Sequence, residues 1–468
     1  MRKIYNYIWV VFALIVSACH ISKDVTTPTE SIPSTYRNSI ANDTQTIATI
    51  PWQDFFPDAT LRELIDTALT RNYDMQLAIK NIDIATQSLK QARMSLVPVV
   101  GLNVGASSTI PSKNSLNGSL TNQFLGTQHI EDFTANMNLS WEADFWGKVR
   151  NKKRAALASY LQTNEAHKAV QTSIVSMVAQ GYYNLLMLDE QLNVARKNAA
   201  LTDSTVRILQ LQQEAGQVTA LAVQQATAQK LTASQLVPEL ERTMQIQENA
   251  LSVLLGSMPH NIIRAQQQYE LPSQALAAGI PLQMVRNRPD VRRAELALTV
   301  ANAKVGLAKA DFYPSLTITA TGGVNSFKAS NWFNIPSSLF GIVAGSIAQP
   351  LLQRRTIKTQ YKIALIEREK TVINFKQSVL QSVEEVSNAL ISVNKLNEQY
   401  QVANDRVVVL QQATHNAQLL FQSGMANYLE VITAQSNLLQ SELALASLKT
   451  ANLNAVAELY RSVGGGWQ

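Results

Sequence analysis

The chain has 468 residues, 46% hydrophobic, 16% charged and 7% aromatic, with a formal net charge of +6 from 40 Lys plus Arg against 34 Asp plus Glu. A mean hydropathy of -0.05 fits neither a disordered chain nor a bundle of transmembrane helices, and so small and dispersed a charge excess leaves no footprint for nucleic acid. A single cysteine excludes an internal disulfide and a cysteine-rich metal centre, and the five scattered histidines show no ligand spacing, so no metal site is expected.

Residues 1–18 read as a lipoprotein signal peptide. Arg2 and Lys3 precede an apolar run, Ile8 to Val16, that is too short to span a bilayer, and Val16-Ser17-Ala18-Cys19 follows at once. Small residues before a cysteine suit a lipoprotein signal peptidase, so Cys19 is the expected lipid-bearing residue, and a covalent lipid replaces any cofactor. An ordinary signal peptide with an incidental cysteine is the alternative. Position 20 is His, without the Asp of the inner-membrane retention signal. Residues 19–57 then read as a tether, rich in Ser, Thr and Pro from Ile21 to Pro51.

From Asp58 the chain repeats itself. At an offset of 216, Asp74, Ala78, Ala85, Ala92 and Pro98 fall on Asp290, Ala294, Ala301, Ala308 and Pro314. At 208, Gly216, Leu221, Val223, Ala226, Leu231, Leu251 and Gly256 fall on Gly424, Leu429, Val431, Ala434, Leu439, Leu459 and Gly464. The sequence therefore reads as a tandem duplication, 58–257 and 282–468, joined by a connector over 258–281 that carries Pro259, Pro272 and Pro281.

Each repeat holds two stretches with strand periodicity: about 98–110 and 131–146 in the first, about 314–325 and 338–350 in the second. In Phe133 to Glu142, odd positions are apolar and even ones polar, so Thr134, Asn136, Asn138 and Ser140 share a face; Thr317 and Thr319 do the same in the third stretch. The fourth, Leu339 to Gln349, is apolar or small on both faces. A soluble antiparallel sheet is one reading. On an exported chain, strands of roughly 10 residues also suit a transmembrane barrel, with the polar face toward a lumen. Four strands cannot close a barrel, for which about eight is the minimum, so several chains would have to share one.

Long helices are expected at about 147–215, where the only Gly after Gly147 is Gly181, and about 351–423, which lacks Pro and Gly altogether. Ala78, Ala85 and Ala92, and again Ala294, Ala301 and Ala308, recur at seven-residue spacing and suit close lengthwise packing. A two-stranded coiled-coil rod is one outcome; a ring of helices around a polar bore is another. Gly216-Gln217 and Gly424-Met425 end the long stretches as matching hairpin tips, glycine allowing the left-handed residue of a tight reversal.

Trp141-Glu142-Ala143-Asp144-Phe145-Trp146-Gly147-Lys148-Val149-Arg150, Asn287-Arg288-Pro289-Asp290-Val291-Arg292-Arg293-Ala294-Glu295, Tyr428-Leu429-Glu430-Val431 and the terminal Gly464-Gly465-Gly466-Trp467 resemble the outer-membrane efflux lipoproteins of the TolC superfamily, OprM/NodT branch. The resemblance implies a mainly α fold with a transmembrane β-barrel. Three chains of four strands would form a twelve-stranded barrel, continuous with a long periplasmic α-helical barrel. It further implies the exit duct of a tripartite efflux pump, passive to small molecules such as drugs, with the outer-membrane channel of a type I protein secretion system as the alternative. The implied partners are a homotrimer, a periplasmic membrane-fusion (adaptor) protein docking at Gly216, Gln217, Gly424 and Met425, an inner-membrane RND-type pump, and outer-membrane lipid. The implied location is the bacterial outer membrane, lipid-anchored and reaching into the periplasm. Relatives often carry Asp and Arg around a constriction where this chain has Thr433 and Ser436. No enzyme is expected: His415 lies in a long helix, His129 in a loop, Asp203-Ser204 and Glu384-Glu385 on solvated helix faces, and no nucleophile or phosphate-loop motif is present.

Overall fold

The computed structural model describes residues 46–121, 123, 126–264 and 287–468. The signal segment, Cys19, the tether up to residue 45 and residues 265–281 of the connector lie outside the described residues. The chain divides into two compact units, one built on Asp83–Leu161 and Glu295–Ile373, the other on Gln162–Ala294, Asn374–Gln468 and the segment ending at Ile82. Each unit takes a part of both repeats, so sequence repeat and compact unit are different divisions of the chain.

The first unit contains the sheet. Strands β1 (Val99–Thr109), β2 (Ile130–Ala143), β3 (Ser315–Ser326) and β4 (Leu339–Ala348) lie in chain order, every neighbouring pair antiparallel. β2 stops at Ala143, short of Trp146, because Asp144 turns to cap the helix that follows: its carboxylate accepts from the Val149 and Arg150 amides at 2.8 and 3.0 Å, and Gly147 is left-handed at φ +74°. The later copy behaves alike. Arg354 and Arg355 are left-handed at φ +46° and +66°, so the second long helix begins at Thr356 and not at Leu351.

Helices α1 (Trp52–Phe55), α2 (Ala59–Arg71) and α3 (Tyr73–Met94) precede the sheet, and α4 (Leu116–Leu120) sits between β1 and β2. After β2 come α5 (Lys148–Glu214) and α6 (Ala220–Leu254). The second half repeats the plan with α7 (Pro289–Ala310), α8 (Thr356–Gln422) and α9 (Tyr428–Ser462). The duplication is metrically strict: α3 and α7 have 22 residues each, α5 and α8 have 67, α6 and α9 have 35. Sixty-seven residues at 1.5 Å rise make about 100 Å of helix. None of the described helices is long and apolar enough to cross a membrane.

The second unit has a conventional core. Tyr182, Leu185, Ile174, Leu61, Ile65, Leu459 and Tyr460 are fully buried in one cluster. The supposed tether reaches into it, contrary to its expected end at residue 57: Ile47, Trp52, Phe55 and Phe56 are buried there, Phe55 stacks on Tyr460 at 3.9 Å, and the Tyr460 hydroxyl donates to the Ile50 carbonyl at 2.6 Å. Three large aromatic side chains taken from water stabilise by several kcal/mol at about 25 cal/mol per Å², which the Ser/Thr/Pro composition of the preceding stretch concealed. Asp58 closes the entry, capping α2 through the Thr60 and Leu61 amides and accepting from the Tyr182 hydroxyl at 2.8 Å.

Candidate functional site

Pairing fixes which side chains share a face of the sheet. Asn136 stands opposite Asn103 and Gly323, Asn138 opposite Gly101 and Thr321, Ser140 opposite Thr319, and Thr134 opposite Gly105 and Asn325. Thr317, opposite Glu142, continues the row. Thr321 donates to Asn138 Oδ1 at 2.8 Å and Asn325 to Asp132 Oδ1 at 2.6 Å, so polar side chains are tied across the β2–β3 seam. Gly323 has a packing reason: a Cβ there would lie 2.2 Å from the Ala135 carbonyl oxygen and 2.5 Å from Asn136 Cα. On β4 the same face carries Ile342 opposite Thr321 and Ala344 opposite Thr319, so the polar row fades at that edge.

The opposite face is apolar and uncovered. Leu102 is 74% exposed, Met137 58%, Val343 81% and Ile347 75%. Among the described residues no strand pairs with the outer edge of β1 or of β4. Two open edges beside an exposed apolar face are a liability in water and are forbidden in lipid. The arrangement is complete only when other strands cover both edges.

In the second unit the two hairpin tips come together. Gly216 and Gly424 have φ of +73° and +75°, with open space around each Cα. Each closes its helix with the same pair of bonds: Gln217 N to Gln212 O and Gly216 N to Gln213 O in one, Met425 N to Leu420 O and Gly424 N to Phe421 O in the other. Thr219 and Asn427 then cap α6 and α9. Val206, Leu209 and Ala226 of one hairpin pack with Phe421, Tyr428 and Ile432 of the other, and the Tyr428 hydroxyl donates to Gln225 Oε1 at 2.7 Å. Met425 is exposed. Thr433 is exposed and Ser436 half-buried on α9; between them Gln435 is fully buried and donates to Thr205 Oγ1 at 3.1 Å.

Sequence reasoning missed a buried ion network. Arg288 is 3% exposed. Its guanidinium donates to both Asp290 carboxylate oxygens at 3.0 and 2.6 Å, to Glu385 Oε2 at 2.9 Å and to the Ser462 carbonyl at 2.8 Å. Arg461 donates to the same Glu385 oxygen at 2.9 Å and to Glu458. Glu385 is thus the hinge of two arginines and no plain solvated face, whereas Asp203 is a surface partner of Lys230. Burial alone would raise the Asp290 carboxyl, but the Arg288 bonds and charge outweigh it and hold it below its usual range. Arg288 two residues before an acid at a Pro-led helix start was the available signal. Among the described residues no group of acidic, His or Cys side chains could hold a metal.

Helices of about 100 Å, paired hairpin tips, and a four-stranded sheet that needs other strands to close define the protomer of an outer-membrane channel with a helical extension. The chain belongs to the outer membrane efflux protein family, whose description matches residues 64–257 and 280–465. It is 29% identical over 461 residues, 97% of each chain, to the cation efflux system protein CusC of Escherichia coli. It is 28% identical over 479 residues to the toluene efflux pump outer membrane protein TtgF of Pseudomonas putida, covering 99% of this chain and 97% of that one. Among solved structures, CusC superposes with a TM-score of 0.84 at 26% identity over 96% of this chain and 100% of that one. The Campylobacter jejuni CmeC outer membrane channel superposes at 0.88 with 22% identity over 96% and 95%, a likeness of fold.

Proposed function

We propose that this protein is the exit duct of a tripartite efflux pump: three copies close one twelve-stranded barrel, and their helices extend the conduit toward an adaptor and an inner-membrane pump. The observation that carries the reading is the sheet, apolar on one face, polar on the other and open at both edges. Four strands from each of three copies satisfy every edge and enclose a polar bore. Thr134, Asn136, Asn138, Ser140, Thr317 and Thr319 line that bore, and solutes pass without any chemistry on the chain. Relatives named for cation and toluene efflux favour efflux over protein secretion.

Cys19 is the lipid anchor in this reading, because it alone offers a thiol. Cys19→Ala yields a chain that incorporates no palmitate, and equal labelling of both chains contradicts the assignment. The tips, Gly216-Gln217 and Gly424-Met425, are the adaptor-docking surface, and Thr433 and Ser436 flank the narrowest part. Valine at either glycine has to adopt a positive φ at a cost of about 1–2 kcal/mol per site, small beside the packing of a trimer of such helices. The double variant Gly216→Val, Gly424→Val is expected to insert as a trimer yet fail to crosslink to its adaptor and to confer resistance. Normal resistance at equal protein level sinks the docking assignment.

A further inference from the structure

Where the strands give way to the long helices, both repeats carry a run of exposed cations that neither the bore nor the tips explain. Lys152 and Lys153 follow β2 within the first turns of α5; Arg354, Arg355, Lys358 and Lys362 follow β4 across the start of α8. All six are exposed, and among the described residues none has an acidic partner within ion-pair distance. At the offset of 208, Lys358 and Lys362 fall on Arg150 and Arg154, cations that already have partners in the first copy, Arg150 on Asp144, while Lys152 and Lys153 fall on Gln360 and Tyr361; each copy thus places its own exposed cations at the strand ends. Aromatic side chains sit at the same level. Trp146 stacks on Tyr313 at 4.8 Å with its indole N–H on the Pro314 carbonyl, Phe312 meets Tyr361 edge-on at 5.6 Å, and the Trp141 indole donates to Leu96 O.

Uncompensated like charges at this density repel one another, and an anionic surface relieves that repulsion. An aromatic layer followed within a turn or two by cations, at the end of apolar strands, is the order in which a membrane interface presents itself: acyl chain, carbonyl region, phosphate. We propose that these six cations form a belt that binds the anionic phospholipid headgroups of the leaflet on the helix side of the barrel, fixing the depth of the protein in the membrane. The belt rests on the reading that the strands span the bilayer. It adds to it a lipid preference and the residues that set it. Four to eight cations beside a membrane-spanning element suffice for such a preference, which salt weakens over a Debye length of about 10 Å at 0.1 M.

The test uses the full-length protein purified in neutral detergent with added phosphatidylglycerol, phosphatidylcholine or inorganic phosphate. Co-purified lipid is counted by native mass spectrometry, and conductance of the same preparation is recorded in planar bilayers. The variant Lys152→Gln, Lys153→Gln, Lys358→Gln, Lys362→Gln is expected to retain several-fold less phosphatidylglycerol than wild type, to match it in phosphatidylcholine, and to conduct normally. The charge-conserving variant with Arg at the same four positions keeps the lipid, and millimolar phosphate does not displace it. Equal phosphatidylglycerol retention by the Gln variant overturns the belt, as does release of the lipid by inorganic phosphate. An unchanged lipid count with altered cation-to-anion conductance also overturns it, placing the charges along the bore. Absence of conductance from wild-type protein is a failure of the channel reading and is recorded separately.

Discussion

Arg288 shows how much of this protein rests on single side chains. Taking a guanidinium to 3% exposure is tolerable only because two carboxylates and a carbonyl receive its N–H groups. Truncation in Arg288→Ala leaves Asp290 without its cation and Glu385 with Arg461 alone; because both carboxylates are 39% exposed, water screens part of the loss, which falls to about 1–3 kcal/mol, below that of a fully buried pair. The Asp290 carboxyl is held below its ordinary value, so its contribution is complete above the unfolded carboxylate pKa of about 4 and is lost as the pH falls through the lower folded value. Thermal unfolding should show Arg288→Ala far below wild type at pH 7, the gap narrowing on acidification. A gap that stays constant to pH 2 contradicts the network. The Asn287 to Glu295 motif was visible in the sequence, yet its partner Glu385 lies 97 residues away and reads locally as an ordinary helix-surface glutamate.

At the scale of elements, sequence and structure agree where local chemistry decides. The long helices stop at Gly216 and Gly424 because only glycine reverses them without strain, and β2 and β3 are legible because alternation is the signature of a strand with two unlike faces. Boundaries moved where a side chain rewrote the backbone, as Asp144 did at the end of β2 and the Arg354-Arg355 pair at the start of α8. What stayed hidden was tertiary: burial of Trp52, Phe55 and Phe56 against Tyr460 depends on residues some 400 positions apart, which no local pattern reports. The face assignment is testable by a pair of substitutions on adjacent residues. Met137→Arg puts a charge on the apolar face at a cost of about 2–4 kcal/mol near the bilayer midplane and should block membrane assembly. Asn136→Arg, one position away, points the other way and should assemble and alter conductance. Equal behaviour of the two variants removes the basis for the barrel.

The whole molecule repeats one plan twice, with helix lengths matched residue for residue between the halves, and among the described residues no strand satisfies the outer edges of β1 and β4. Repeats were readable from self-alignment, and the need for partners followed from counting strands. In the proposed channel β1 of one copy pairs with β4 of the next, three times around. Disulfide trapping tests it most directly: Leu102→Cys on β1 combined in turn with Cys at Gly341, Val343 or Gly345 on β4, all on the apolar face, oxidised in intact membranes and resolved by denaturing electrophoresis. At one of these positions the account predicts a ladder of covalent dimer and trimer that ends at three. A chain that stays monomeric at every position, or a ladder that runs past three, contradicts it.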